Sequence, residues 1–515
     1  MPAHPPPDTV PRNAPETAGP RTQRRGWPIG WVTVTLLLCG LTLGGCRREA
    51  GGPAQGVAPE LQSSEETPQD PTPATPTPRF PAFNLIFVSF DALQAAHVGA
   101  WGGRPGVTPT LDALARRSCL FRKAYSVASW NVPASMSWFT GVYPSEHRMT
   151  NKFAVYNANT RQLADLRELS PQLATLAGVL RQSGYATGGF TGNAGVHGGF
   201  GFAEGFDVYY SESGRFGGFE SSIPRALEWL RAHRDRKFIL FLHGYDCHGQ
   251  FAPEERLDDR FVDSVYDRRY LGTPREQKLL REAGLEQGRL NLREADVAFW
   301  RGVYDEKVQR ADTRFREFLA ALEKLQLDEN TLLIVAADHG TEPCEHDRLD
   351  HGFTLYNELL HVPLIMKLPG QSAGLEVADR VSTIDLFPTI LDLLDVSAGP
   401  ASGQLRGSSL APALTGARVA RSCFSETDYR EYTFKRSILR PTGLKLILTL
   451  ESNEREVYDL TVDPGETTNL APSHPALADE LESELRTHFR SLGHPLENRQ
   501  WKIGLNPVYS SQESP

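Results

Sequence analysis

Three uncharged, mostly apolar runs each stop at a metal-ligating side chain, and this pattern constrains the chain more than any other feature. Asn84–Phe90 reads NLIFVSF and ends on Asp91; Phe238–Leu242 runs into His243; Leu332–Ala337 ends on Asp338 and His339. Apolar runs of this length without polar alternation fit strands buried on both faces, as in parallel sheets covered by helices. Tyr185–Phe190 and Val362–Lys367 read as further strands. Helical spacing in Thr108–Ser118, Gln172–Ser183, Ile223–His233 and Val303–Leu325 falls between them. The expected class is therefore α/β, a mostly parallel sheet sandwiched by helices. Ligands of such sheets sit just beyond the carboxyl ends of the strands, which is where Asp91, His243–His248 and Asp338-His339 fall.

With 515 residues, of which 40% are hydrophobic, the chain can bury a sizeable core. Its 54 basic residues against 63 acidic ones give a net charge of −9, so a nucleic-acid binder dominated by phosphate contacts is excluded. Six cysteines in this length exclude a disulfide-stapled small scaffold. Cys119, Cys247, Cys344 and Cys423 show no CxxC spacing; Cys247 and Cys344 are the expected pair if a disulfide forms.

The N-terminus reads as an address and a tether. Arg21, Arg24 and Arg25 precede an uncharged stretch from Gly26 to Cys46, with Leu43-Gly44-Gly45-Cys46 at its end. A positive flank, a short apolar run and small residues are the logic of an export signal. The ending is similar to a bacterial lipobox, in which Cys46 is lipidated; the alternative is a retained transmembrane helix. Either reading places the remainder outside the cytoplasmic membrane, lipid-anchored or helix-anchored to the cell envelope. Residues 47–81 hold eight prolines among small polar residues and read as an extended linker.

Asp338-His339-Gly340 offers a carboxylate and an imidazole side by side to one divalent cation, with a glycine to turn the backbone. Asp91 supplies a second carboxylate. Asp246-Cys247-His248, with His351-Gly352 downstream, makes either a second metal pocket or an anion site. Each element has a plainer reading, a strand-ending turn or a helix cap; five such groups at strand ends are hard to dismiss together.

Taken in order, these pieces resemble the sulfatase branch of the alkaline phosphatase superfamily. The matching segments are Asn84–Leu93, Thr108–Ala115, Phe121–Ser126, Pro133 with Phe139–His147, Gly184–Phe190, Phe241–His248, Ala337–Gly340, His351–Glu358 with Pro363, Val381–Thr389 and Val457–Leu470. The resemblance implies an alkaline phosphatase-like core over 82–398, a smaller α+β subdomain over 399–506 and a disordered tail over 507–515, after a signal with lipobox (1–46) and the linker (47–81). It implies a metal-dependent hydrolase of sulfuric or phosphoric esters, with Asp91, Asp338, His339, Asp246 and His351 as metal-site residues. His248 and His243 would be catalytic or substrate-contacting. The cofactor would be a divalent metal (Ca, Mg, Mn or Zn), and an imidazole ligand leans towards Mn or Zn.

Three departures from the family pattern stand out. The nucleophile position, two residues before Pro133, is Asn131, whose amide has no ionisable proton near neutral pH and is a poor nucleophile. The element after Pro133 reads Ala134-Ser135, so the formylglycine recognition sequence is absent. Ala92 and Gln94 replace an aspartate and an arginine. Two functions follow: an ester hydrolase working without the usual side-chain nucleophile, in which Ser129, Ser135 or a metal-bound water attacks, or a catalytically inactive surface lipoprotein that binds an anionic ligand or partner.

Overall fold

The computed structural model describes residues 77–150, 165–193, 195–212, 217–249, 258–429 and 433–498. Cys46 with its export segment, most of the linker and the expected tail lie outside the described residues. In chain order the first ten strands are β1 (Asn84–Phe90), β2 (Cys119–Tyr125), β3 (Ala186–Thr191), β4 (Val208–Ser211), β5 (Phe238–Gly244), β6 (Thr331–Ala337), β7 (Glu342–Pro343), β8 (Leu349–Asp350), β9 (His361–Lys367) and β10 (Leu375–Ser382). Eight of them form one sheet in the order β10-β2-β9-β6-β1-β5-β3-β4. The three long apolar runs are its centre: β1 lies between β5 and β6, parallel to both, and all three are buried along their whole length.

The parallel register builds the site. Phe90 pairs with Gly244 on one side and with Ala337 on the other, and Ser89 pairs with His243. The next residues, Asp91 and Asp338, therefore emerge side by side at one edge of the sheet. The helix Phe219–His233 packs on β3 and β5, and Glu294–Lys324, longer than the expected Val303–Leu325, packs on that helix in turn. The aromatic contacts Phe87–Phe241, Phe139–Phe241, Phe90–Phe219 and Phe90–Phe315, with centroids 4.8–5.6 Å apart, fill the layers between sheet and helices. At such spacings aromatic pairs add to the apolar area they bury.

The Val362–Lys367 strand forms as β9 but runs antiparallel to both β6 and β2. The connection from β6, residues 338–360, stays at the carboxyl edge of the sheet, where Gly340 N donates to Leu359 O (2.8 Å), so the chain enters β9 from that edge and runs back along β6. Strands β2, β4 and β10 were not anticipated as strands. Two of them, β4 and β10, are edge strands with exposed or half-exposed residues, and the third carries Arg122 and Lys123 in its middle.

The C-terminal subdomain has a four-stranded antiparallel sheet: β11 (Cys423–Thr427), β12 (Lys435–Leu439), β13 (Leu444–Thr449) and β14 (Glu454–Asp459). The amphipathic helix Pro475–Ser491 covers it, burying Ala478, Leu481, Leu485 and Phe489 against Ile438, Leu446, Leu448 and Val457. This sheet reaches back to the crest of the large one. Glu426 N donates to Val127 O (2.9 Å), Ser425 Oγ to Ser126 O (2.6 Å) and Thr427 Oγ1 to Gly352 O (2.7 Å). Cys119, Cys247, Cys344 and Cys423 are all free thiols. The expected Cys247–Cys344 disulfide is thus corrected: Cys247 is packed in the main core, while Cys344 sits in a separate apolar cluster with Trp300 and Leu349. Among the described residues no helix is long and apolar enough to cross a membrane.

Candidate metal centre

Asp91, Asp338 and His339 come together at the ends of β1 and β6, fully buried and within metal-ligand reach of one another. Each is held by its surroundings. Asp338 Oδ1 accepts from the backbone amides of Ala92 (3.1 Å) and His339 (2.9 Å), and its Oδ2 lies 3.5 Å from Ser135 Oγ. Ala92 turns at a positive φ of 59°, which aims its amide back at Asp338. Gly340 is required by close approach: a Cβ there would meet Glu358 O at 1.9 Å. Asp91 Oδ2 accepts from Asn131 Nδ2 (3.1 Å) and from His243 Nε2 (3.2 Å).

The remaining atoms of this trio are the informative ones. His339 Nδ1 donates to Gly340 O at 2.6 Å, so the lone pair is on Nε2. That Nε2 lies 3.6 Å from Asp91 Oδ1 and 3.8 Å from Asp338 Oδ1. Asp91 Oδ1 and His339 Nε2 are both buried and lack any hydrogen-bond partner. Burying acceptors without partners is costly, and a divalent cation is the group that two carboxylate oxygens and an imidazole nitrogen at these distances fit. The electrostatics agree. Burial works against charge on Asp91, but the His243 bond and the imidazoles of His248, His243 and His339 hold it well below the ordinary carboxylate range. Burial and then the neighbouring Asp91 push Asp338 up, and burial pushes His339 down towards the neutral ligand form.

His248 and His351 form a second group beside the first. Their rings are 4.7 Å apart edge to face, and His351 stacks on His339 at 4.5 Å. His351 Nδ1 lies against Asp350 Oδ1, and Arg281 Nη1 sits 3.3 Å from Asp350 Oδ2. Tyr245 stacks on His248 at 4.1 Å. Burial, and then His351, drive His248 well below the usual imidazole range.

Of the residues expected at the site, Asp91, Asn131, His243, His248, Asp338, His339 and His351 converge. Asp246 does not, and its expected metal role is corrected. Its Oδ2 accepts from Phe219 N (2.7 Å) at the start of the helix Phe219–His233, and its Oδ1 pairs with Arg314 at 2.5 Å. His243 reaches the site but faces Asp91, with Nδ1 on Ser89 Oγ at 3.0 Å, so both ring nitrogens are engaged. Asn131 opens the helix Asn131–Thr140. Gly195 lies so close to it that a Cβ there would meet Asn131 Oδ1 at 2.7 Å. Asp350 and Arg281 were missed. A signal for Asp350 existed: Asp350-His351-Gly352 repeats the triplet Asp338-His339-Gly340.

A mostly parallel sheet covered by helices delivers acidic and imidazole side chains to one crevice at its carboxyl edge, an arrangement shared by the alkaline phosphatase-like class. Within that class, the family model described as Sulfatase matches residues 83–396, and one described as N-sulphoglucosamine sulphohydrolase, C-terminal, matches 344–492. The chain belongs to the sulfatase family. It is similar to a Delta 4,5-hexuronate-2-O-sulfatase of Bacteroides thetaiotaomicron, 25% identical over 472 residues covering 84% of this chain and 95% of that protein. It is also similar to arylsulfatase K of Mus musculus, 31% identical over 205 residues but spanning only 38% of this chain and 36% of that one. Among solved structures, a 2-O GAG sulfatase superposes with a TM-score of 0.65 at 21% identity, covering 83% of this chain and 96% of that one. A phosphonate monoester hydrolase of Agrobacterium radiobacter superposes with a TM-score of 0.62 at 19% identity, covering 80% and 96%.

Proposed function

We propose that this chain is a metal-dependent hydrolase of sulfuric esters in which no side chain acts as the nucleophile. The observation that carries the proposal is the pair of buried, unpartnered ligand atoms, Asp91 Oδ1 and His339 Nε2, aimed at each other across 3.6 Å beside Asp338. When bound there, a divalent cation would neutralise charge developing on the ester group and make water easier to ionise. The mixed oxygen and nitrogen donor set favours manganese or zinc over calcium or magnesium.

The protein's own residues do the rest. Asn131 stands where the family places its nucleophile, and its amide donates to Asp91 Oδ2, which keeps Oδ1 turned towards His339. With no ionisable oxygen at that position, the attacking oxygen comes from water. Water adds to sulfur, the sulfur–oxygen bond to the alcohol breaks, and a proton must reach the departing oxygen. His351 is placed for that transfer: with Nδ1 against Asp350, its Nε2 lone pair takes a proton from the attacking water and passes it to the departing oxygen. His248, next to it and neutral by burial, offers a second imidazole to the sulfuryl oxygens.

A sulfated sugar is the proposed substrate class, supported by the relative named as a hexuronate sulfatase, 95% of whose length is matched. Phosphoric and phosphonic esters are the second class to assay, given the phosphonate monoester hydrolase neighbour. The competing reading, a silent member that binds an anionic ligand, is favoured by Asn131 itself. The test is turnover of sulfated saccharides, aryl sulfates and phosphate mono- and diesters with each cation. Activity lost in Asp338→Asn and retained in Asn131→Ala supports water as nucleophile. A stoichiometric cation with no turnover on the whole panel supports the silent reading. Export with a lipid on Cys46 is part of the same proposal; release of the protein from the membrane fraction by Cys46→Ala would support it.

A further inference from the structure

Asp350 sits in a backbone conformation that an aspartate rarely adopts. Its φ is 96°, and Gly352, two residues on, has φ 100°. The backbone demands at this point would be met by glycine. Strands β7 and β8 pair antiparallel as a separate two-stranded ribbon that sets Glu342 opposite Asp350, Thr341 Oγ1 donates to Asp350 O (3.1 Å), and Thr427 Oγ1 donates to Gly352 O (2.7 Å). None of these uses the Asp350 side chain. Non-glycine residues persist in such strained conformations where their surroundings hold them there, commonly at functional sites. The Asp350 carboxylate is held: one oxygen lies against His351 Nδ1 and the other 3.3 Å from the buried guanidinium of Arg281. Arg281 comes from the helix Pro274–Gln287, a separate element from the strands that carry the metal trio.

We propose that Asp350, clamped by Arg281, is a positioning residue that fixes the orientation and tautomer of His351. It acts through His351 and does not touch the reacting atoms. A carboxylate on one imidazole nitrogen keeps the proton on that nitrogen and leaves the other with its lone pair facing the site. Here it holds the His351 ring in its stack on His339 and at right angles to His248. His351 and then Arg281 hold the carboxylate ionised against its burial, and the pair with Arg281 fixes it in place, so that a strained backbone carries a well-directed side chain. This inference rests on the hydrolase reading for its kinetic test, but not for its structural one.

Asp350→Gly separates the roles, because glycine suits the backbone and removes only the carboxylate. In the full chain loaded with manganese, the variant is expected to bind the same amount of cation but to melt lower than the parent, because the buried Arg281 loses its partner, and the double variant Asp350→Gly with Arg281→Met is expected to recover that loss. Its kcat falls about 10- to 100-fold, the usual effect of losing a group that orients a site imidazole, while KM changes little. Added formate, which can occupy the vacated carboxylate position, restores part of kcat in Asp350→Gly and none in the parent. Arg281→Lys lowers kcat less than Arg281→Met does. Parental kcat in Asp350→Gly overturns the proposal, as does a parent that binds two cations where Asp350→Gly binds one, which would make Asp350 a ligand. If the parent turns over nothing, crystal structures decide: the His351 ring leaves its stack on His339 in Asp350→Gly if the proposal holds, and stays in place if it does not.

Discussion

Replacing Asp338 by asparagine separates the cation's contribution to stability from that of the surrounding hydrogen bonds. Asparagine keeps an acceptor at Oδ1, so the bonds from Ala92 N (3.1 Å) and His339 N (2.9 Å) survive, and the new amide faces Ser135 Oγ at 3.5 Å. What disappears is one of two buried carboxyl groups, the one that burial and Asp91 already push towards its protonated form. The metal-free variant should therefore melt at or above the metal-free parent. The response to cation is the opposite. A ligand at 1,000 times its dissociation constant stabilises the native state by about 4 kcal/mol. At roughly 2 °C per kcal/mol for a large domain, that raises Tm of the parent by about 8 °C, and the variant should lose most of this rise. The assay is thermal melting at pH 7.5 in chelator and in manganese or zinc. An equal cation-induced rise in parent and Asp338→Asn would refute the reasoning. So would a metal-free variant that melts far below the metal-free parent, since the two backbone bonds would then not be the main local support.

Asn131→Asp places a third buried carboxylate 3.1 Å from Asp91 Oδ2; an uncompensated buried charge costs about 3–5 kcal/mol, so the metal-free form should melt lower and regain more than the parent when cation is added. His346 bonds Glu358, which outweighs burial and lifts the imidazole to about 9. A His whose folded pKa exceeds its unfolded value of about 6.5 stabilises fully below pH 6.5 and loses that contribution as pH rises through 9. Burial, and then Glu358, raise Glu342 to about 8, which adds a loss of stability in the same direction from about pH 4.5 to 8. Tm should therefore fall between pH 6.5 and 9.5, and less steeply in His346→Gln. In the C-terminal sheet the buried Arg436 pairs with Glu426 (3.3 Å) and Asp428 (2.6 Å). Arg436→Ala leaves both carboxylates without it and should cost about 3–5 kcal/mol in denaturant unfolding.

The centre of the sheet was legible because β1, β5 and β6 are buried on both faces, which writes them as unbroken apolar runs. The flanks were not. Strand β10 has exposed residues and a register shift between Val377 and Arg380, and the antiparallel direction of β9 leaves no trace in its composition. At the site, Asp91, Asp338 and His339 could be read because a parallel register carries consecutive strand ends to one place. Asp246 looked equivalent, two residues before His248. Direction decided otherwise: its carboxylate turns to the Phe219 amide and Arg314. Arg281 had no such signal, since it meets Asp350 across a separation of 69 residues.

The central claim is that Asp91, Asp338 and His339 hold one divalent cation. Crystals grown with manganese or zinc and measured at the metal's absorption edge test it most directly. The account predicts an anomalous peak about 2.0–2.3 Å from Asp91 Oδ1, an Asp338 carboxylate oxygen and His339 Nε2. Full-occupancy metal elsewhere in the chain, with no peak among these three atoms, would contradict it.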